Sequence, residues 1–363
     1  MNRNNVWSKR LLTVVFAVLS SVLLVFGQSE SANISSQEKE TTPVALFESN
    51  SVLKISIYGD FADVMQDRGE DRSYHKGRII YIDHNGDSIS RKIKVKARGN
   101  FRRSPDNCKY PPIKVKFGKL KTADSIFQVQ KKLKLVTQCQ LEDYVLLEYL
   151  AYRFYNTLTD DSYRVRLAHI TYGDLETKTS YFTRYAFFIE DEKEMATRIG
   201  ADVYKPNVTQ YLLDRNQIVT AAFFQYMIGN DDWFATSKHN MSILEMQDDG
   251  ALVAIPYDFD WSEFVDATYT KPEGVPGYQL SKRQVYKGLC LDEEEFLAQK
   301  ALFEGKKEVF INMIKELEDL PKGRMNKAVA HINQFYRVLN RANSLEKIFQ
   351  AEKCIQVPAQ LPQ

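Results

Sequence analysis

Residues 78–97 read RIIYIDHNGDSISRKIKVKA. Two runs rich in β-branched residues, Arg78 to Ile82 and Ile89 to Ala97, flank Asn85-Gly86. Asn-Gly between such runs is the strongest short-range hairpin signal, because a tight turn there needs residues that tolerate positive φ. Ile93, Val95 and Ala97 alternate with Lys92, Lys94 and Lys96, so one face of this strand is buried and the other wet. Ile113, Val115 and Phe117 repeat the pattern against Lys114 and Lys116, and Val52, Leu53, Ile55 and Ile57 form an earlier strand. Residues 51–135 therefore read as β-rich.

Beyond this region the period changes. A long helix is predicted at Leu141 to Leu158, then strands at Arg164 to Tyr172 and Ser180 to Ile189. The acidic run Glu190 to Glu194 opens a helix, where negative charge suits the N-terminal end of the dipole. Gln210 to Ile228 is a further helix ended by Gly229, and Met241 to Leu244 pairs with Leu252 to Ile255 around Asp248-Asp249-Gly250. Glu294 to Gln350 is helical, with lysine- and glutamate-rich faces, and 351–363 is a tail. Strands followed mostly by helices predict an α+β protein of two lobes, 51–135 β-rich and 136–350 mainly helical.

The start of the chain predicts export. Arg3, Lys9 and Arg10 precede an apolar run from Leu11 to Phe26, and Val25 and Gly27 suit cleavage before Gln28. That run is shorter than the roughly 20 residues a membrane-crossing helix needs. The expectation is a signal peptide at 1–27, a polar tether at 28–50, and a periplasmic, cell-surface or secreted protein with no membrane span after cleavage. Cys108, Cys139, Cys290 and Cys354 allow three disulfide connectivities, and the sequence does not choose among them.

Composition removes some functions. The net charge of +2, from 49 basic and 47 acidic residues, gives no electrostatic footprint for nucleic acid. There is no GxSxG, HExxH, Walker lysine loop or GxGxxG, and the five histidines show no helical pairing at metal spacing. Standard serine hydrolases and zinc hydrolases are therefore disfavoured.

One constellation carries chemistry. Gly229-Asn230-Asp231-Asp232-Trp233 ends a helix, His239-Asn240 follows, and Pro256-Tyr257-Asp258-Phe259-Asp260-Trp261 leaves a strand. Asp258 and Asp260 lie on one side of an extended chain, and the hairpin can bring them near Asp232 and Asn240. Carboxylates with an amide suit a hard cation such as Mg²⁺ bound with phosphate oxygens. The same residue types also cap helices and turns, and could hold a structural Ca²⁺.

At these residues the chain resembles the CotH family, the spore-coat protein kinases with an atypical kinase fold. The likeness runs from about Ile93 to Cys290, through Arg98-Gly99-Asn100, Pro111 to Phe117, Leu133-Lys134-Leu135, Leu147 to Leu158, Val165 to Ala168 and Phe187 to Asp191. It closes on Gly229-Asn230-x-Asp232-Trp233 and Pro256 to Asp260. The resemblance implies a two-lobed atypical protein-kinase-like fold and ATP- and Mg²⁺-dependent phosphoryl transfer to Ser/Thr hydroxyls of a protein substrate. By the same resemblance Asp232 would face the substrate hydroxyl, Asn240 and Asp258 would hold the metal, and Asp260 would be a further metal candidate. Lys114 and Lys116, assisted by Arg98, would grip the phosphates. Asp232 and Asn240 stand eight residues apart, more than in the usual kinase catalytic loop. Asn240-Met241-Ser242, like Asn33-Ile34-Ser35 and Asn207-Val208-Thr209, is a glycosylation sequon, and a glycan on Asn240 would exclude a metal there. The competing expectation is an extracellular binding protein that keeps the fold without turnover.

Overall fold

The structure, a computed structural model, describes residues 45–118, 126–128, 130–270, 284–351 and 354–358. The expected signal peptide, most of the tether and the Asn33 sequon lie outside the described residues. Strand β1 (Leu53–Gly59), followed by the short helix α1 (Phe61–Gln66), pairs antiparallel with β2 (His75–Ile82), and β2 with β3 (Ser88–Ala97). The expected hairpin is present, but its loop is longer than a two-residue turn. The Asp83 carboxylate accepts from the Asn85 and Asp87 amides, and only Gly86 needs positive φ, at 86°.

The ladder continues through β4 (Ile113–Phe117) and β5 (Lys132–Val136). The chain then forms helix α2 (Glu142–Leu158) before returning to the same sheet as β6 (Val165–Asp174) and β7 (Ser180–Ile189). Strand order is β1-β2-β3-β4-β5-β7-β6, and parallel pairing of β6 with β1, Leu53 opposite Ala168, closes a seven-stranded barrel. Ile57, Ile79, Val95, Val115, Leu135, Ile170 and Phe188 fill its interior. Burying each such side chain contributes roughly 1.5–3 kcal/mol.

This closed barrel overturns the expected two-lobed kinase-like fold. Strands from both sides of the predicted boundary at 135/136 belong to one sheet, and helix accounts for 33% against 25% strand. The physical reason lies in β6 and β7, where Val165 to Ala168 and Ala186 to Ile189 are buried on both faces. Ala168, Ile170, Ala186 and Phe188 point into the barrel, while Val165, Leu167, Phe187 and Ile189 join a second core around α2. Strands buried on both faces weld the two cores together instead of leaving a hinge between lobes.

The second core also takes in α3 (Glu192–Arg198), a small sheet of β8 (Ala201–Val203), β9 (Met241–Met246) and β10 (Leu252–Pro256), and helix α4 (Arg215–Ile228). Helices α5 (Glu293–Glu304), α6 (Lys307–Glu316) and α7 (Lys322–Leu339) close it from outside. Among the described residues no helix is long and apolar enough to cross a membrane.

All four cysteines are paired, Cys108 with Cys139 and Cys290 with Cys354. The first bridge ties the segment between β3 and β4 to the start of α2. Its loss in a Cys108→Ser/Cys139→Ser variant should cost about 3–4 kcal/mol, from the loop it closes. The midpoint of denaturant unfolding, compared with wild type under oxidising conditions, checks this. An unchanged midpoint would mean that the bridge carries no strain-free constraint on the unfolded chain.

Candidate active site

Helix α4 stops at Gly229, which sits in the left-handed region at φ 65°, where a Cβ would lie 2.9 Å from the Glu263 side chain. Only glycine fits. The chain then turns sharply: buried Asn230 is held by Gln225 through its amide nitrogen, and its Oδ1 accepts from the Asp232 amide at 3.1 Å. A two-way backbone bridge between Phe234 and His239 folds the intervening residues back on themselves. That bridge is how the long spacing from Asp232 to Asn240 is spanned. Asn240 Nδ2 donates to the Asp232 carbonyl at 2.7 Å and to its Oδ2 at 3.1 Å, while His239 Nε2 lies 2.8 Å from Asp232 Oδ1.

Strand β10 delivers the other half. The Tyr257 amide donates to the Asn240 carbonyl at 3.0 Å, and the Asp258 amide donates to the Tyr152 hydroxyl at 2.8 Å. Lys238, Asn240 and Asp258 all take positive φ, between 54° and 63°. Non-glycine residues rarely adopt this region, although Asn and Asp tolerate it best, and such backbone clusters where the surroundings fix a functional geometry.

Behind Asp258 lies a buried ionic cluster. Arg102 contacts Glu148 at 3.0 Å, Asp258 at 3.1 Å and Asp260 at 3.3 Å. Glu148 comes from the middle of α2, and the Tyr269 hydroxyl donates to Asp260 at 2.9 Å. Glu148 and Asp260 are almost wholly buried, whereas the Asp258 side chain is 37% exposed. Burial drives the Asp260 carboxyl well above the ordinary range against the pull of Arg102, and Glu148 is raised for the same reason. Burial also opposes the charge on Asp258, but Arg102, Arg98 and Lys134 together hold it below its ordinary value. The open member of the trio is thus the anion, and the two behind it share the strain of desolvation.

Arg102, Asp258 and Asp260, with Asp232 and His239-Asn240, border one cleft of about 550 Å³, and Glu148 lies behind it. Of the residues expected at the site, Asp232, Asn240, Asp258, Asp260 and Arg98 line it together. Lys114 and Lys116 do not: they stand on the outer face of β4, and the lysines lining the cleft are Lys238 and Lys134, the latter one strand over and directly opposite Lys114. Burial, with Arg98 nearby, lowers the Lys134 ammonium from its ordinary value while Asp258 pulls it back, and its Nζ lies 5.0 Å from the Tyr257 ring centroid.

No family model and no curated protein matches this chain.

The oxygen donors suit a hard divalent cation. One atom from each of Glu148, Asp258 and Asp260 lies within 4.8 Å of the others, and Glu148 Oε1 is buried with no hydrogen-bond partner among the described residues. Arg102 contacts all three, however, so the space between them already holds a positive charge. A metal would be held on the cleft side, by Asp258 and by the Asn240 amide oxygen, whose nitrogen is engaged by Asp232.

Arg102, Glu148, Lys134 and His239 are not among the residues expected at the site, although His239-Asn240 belongs to the constellation that points to it. Glu148 had a signal, being an acid inside a helix whose residues Tyr144 to Tyr152 are all buried. A charge so placed needs a buried partner.

Proposed function

We propose that this cleft transfers a phosphoryl group from ATP to a Ser/Thr hydroxyl of a protein outside the cytoplasm. One observation carries the reading: a half-buried Asp232, oriented by Asn230, His239 and Asn240, shares a cleft with the anionic Asp258 and the cations Arg98 and Lys134. Phosphoryl transfer is mainly positioning and charge neutralisation, and asks for few other parts. Asp232 would accept the hydroxyl proton and aim its oxygen. Lys134 and Arg98 would neutralise phosphate oxygens, and Asp258 with Asn240 would hold Mg²⁺. Bound there, Mg²⁺ would offset charge on the phosphates. The two disulfides support an oxidising compartment and agree with the export signal.

A second reading, binding without turnover, has one observation in its favour. Arg102 occupies the centre of the carboxylate trio, as an internal cation would.

A melting experiment on the protein from residue 28 onward separates the two. Phosphotransfer expects a higher Tm only when ATP and Mg²⁺ are both present, because a ligand of the native state stabilises by mass action. It also expects label from γ-phosphate-labelled ATP on an acceptor protein. A Tm indifferent to nucleotide would sink the proposal, and a Tm shift without label transfer would favour binding alone.

A further inference from the structure

The outer face of β2 to β5 carries adjoining rows of positive charge. Across the register, Lys76 faces Lys94, Lys94 faces Lys116, and Lys116 faces Lys132. A second row runs Lys96, Lys114, Lys134, and Arg78 stands opposite Lys92. None of the four strands contains an aspartate or glutamate, and no lysine in these rows is salt-bridged to a described carboxylate. Like charges directly opposite on neighbouring strands destabilise a sheet. The whole chain is nearly neutral, so this field does not come from a general excess of lysine.

The rows have a shape and a direction. Part of the first row, with Arg78 and Lys92, borders a hollow of about 500 Å³. The second row ends on Lys134, which lines the cleft beside Asp258. We propose that this face docks an acidic segment of the acceptor protein and leads the adjoining hydroxyl to Asp232, an inference that rests on the phosphotransfer reading of the cleft. Strands lie about 4.8 Å apart, so a four-lysine row spans about 14 Å, the reach of roughly four extended residues. Carboxylates on a short acidic run match it. Single-stranded nucleic acid fits less well, because the outward positions of the four strands carry no aromatic residue and Tyr74 lies beneath Lys96 and Lys116, leaving no row of rings along the strands on which bases could stack.

The test uses a fluorescein-labelled peptide of about eight glutamates around one serine, followed by anisotropy at low and high salt. Its partner is a Lys76→Gln/Lys92→Gln/Lys94→Gln variant, whose three positions lie away from the cleft. Wild type should bind the peptide, more weakly as salt rises, and the variant should bind roughly tenfold more weakly. The variant should melt at a higher temperature, since like-charge repulsion is relieved, and its response to ATP with Mg²⁺ should be unchanged. Equal peptide affinity in both proteins overturns the proposal. So does tighter binding of a DNA oligonucleotide than of the peptide, which would assign the face to nucleic acid. Peptide binding that follows the lysines, with no phosphate transferred, would instead sink phosphotransfer and leave a surface for acidic partners.

Discussion

Replacing Arg102 by methionine should destabilise the protein by about 3–5 kcal/mol, the usual consequence of leaving buried charge without its partner. The guanidinium is 9% exposed and is the cation shared by Glu148, Asp258 and Asp260. The loss should depend on pH, and the sign follows from the carboxyls. Asp260 and Glu148 are raised by burial, so between the ordinary carboxylate value near 4 and the raised one the folded state binds more protons than the unfolded chain. Stability from this pair therefore falls as pH rises through that window. Asp258, held low, acts in the opposite sense: its contribution is present above the ordinary value and is lost as pH falls through the lowered one. Arg102 lowers all three carboxyls, so without it the raised pair moves further up. The variant should accordingly lie closest to wild type in mild acid and furthest from it at alkaline pH. Urea unfolding at several pH values measures the difference. Adding Glu148→Gln to Arg102→Met should recover part of the loss, because one buried charge then disappears. A flat difference across pH would show that the cost comes from lost packing.

The same cluster shows what can be read from the chain alone. The alternation of Ile93, Val95 and Ala97 with lysines correctly gave the buried face of β3, and Asn85-Gly86 gave its hairpin. Gly229 marked the end of α4, and Asp248 to Gly250 marked the turn that brings Asp258 back toward Asp232. Those signals are local, and they were enough to assemble the acidic half of the cleft. Closure of the barrel was not local. It depends on Leu53 finding Ala168 in a parallel pair, and no short-range pattern encodes such a distant register. Without it, β6 and β7 looked like strands of a helical lobe.

The basic half of the cleft failed for a related reason. Alternation shows that Lys114, Lys116 and Lys134 all point outward, but strand order decides which of them ends beside Asp258. In the observed order β5 lies between β4 and β7, which places Lys134 at the cleft and Lys114 one strand away. Arg102 lay in a loop with no periodicity, and its partner Glu148 stands 46 residues further on, in α2, a pairing that no local pattern reveals.

The two aspartates that border the cleft should fail in different ways when each is changed to asparagine. At position 258 asparagine tolerates the positive φ of 63° that alanine would adopt only with strain, so the substitution removes charge and little else. The anion facing the cleft is then gone, while Arg102 keeps Glu148 and Asp260 as partners. Without metal, Asp258→Asn should melt below wild type at neutral pH, because Arg102, Arg98 and Lys134 lose the anion they hold, and the gap should close as pH falls through the lowered Asp258 value. With ATP and Mg²⁺ it should show no stabilisation. Asp232→Asn should keep that stabilisation, since Asp232 is set to meet the acceptor hydroxyl. Its kcat should fall by about 10²- to 10⁴-fold, the usual contribution of a positioned acid–base group, with KM for ATP nearly unchanged. Calorimetry with ATP and Mg²⁺ beside label transfer separates the variants. If Asp258→Asn binds the metal–nucleotide pair as wild type does, Asp258 is not the anion that holds it. If Asp232→Asn transfers phosphate at the wild-type rate, the hydroxyl is oriented elsewhere, and His239, 2.8 Å from the Asp232 carboxylate, becomes the next residue to change.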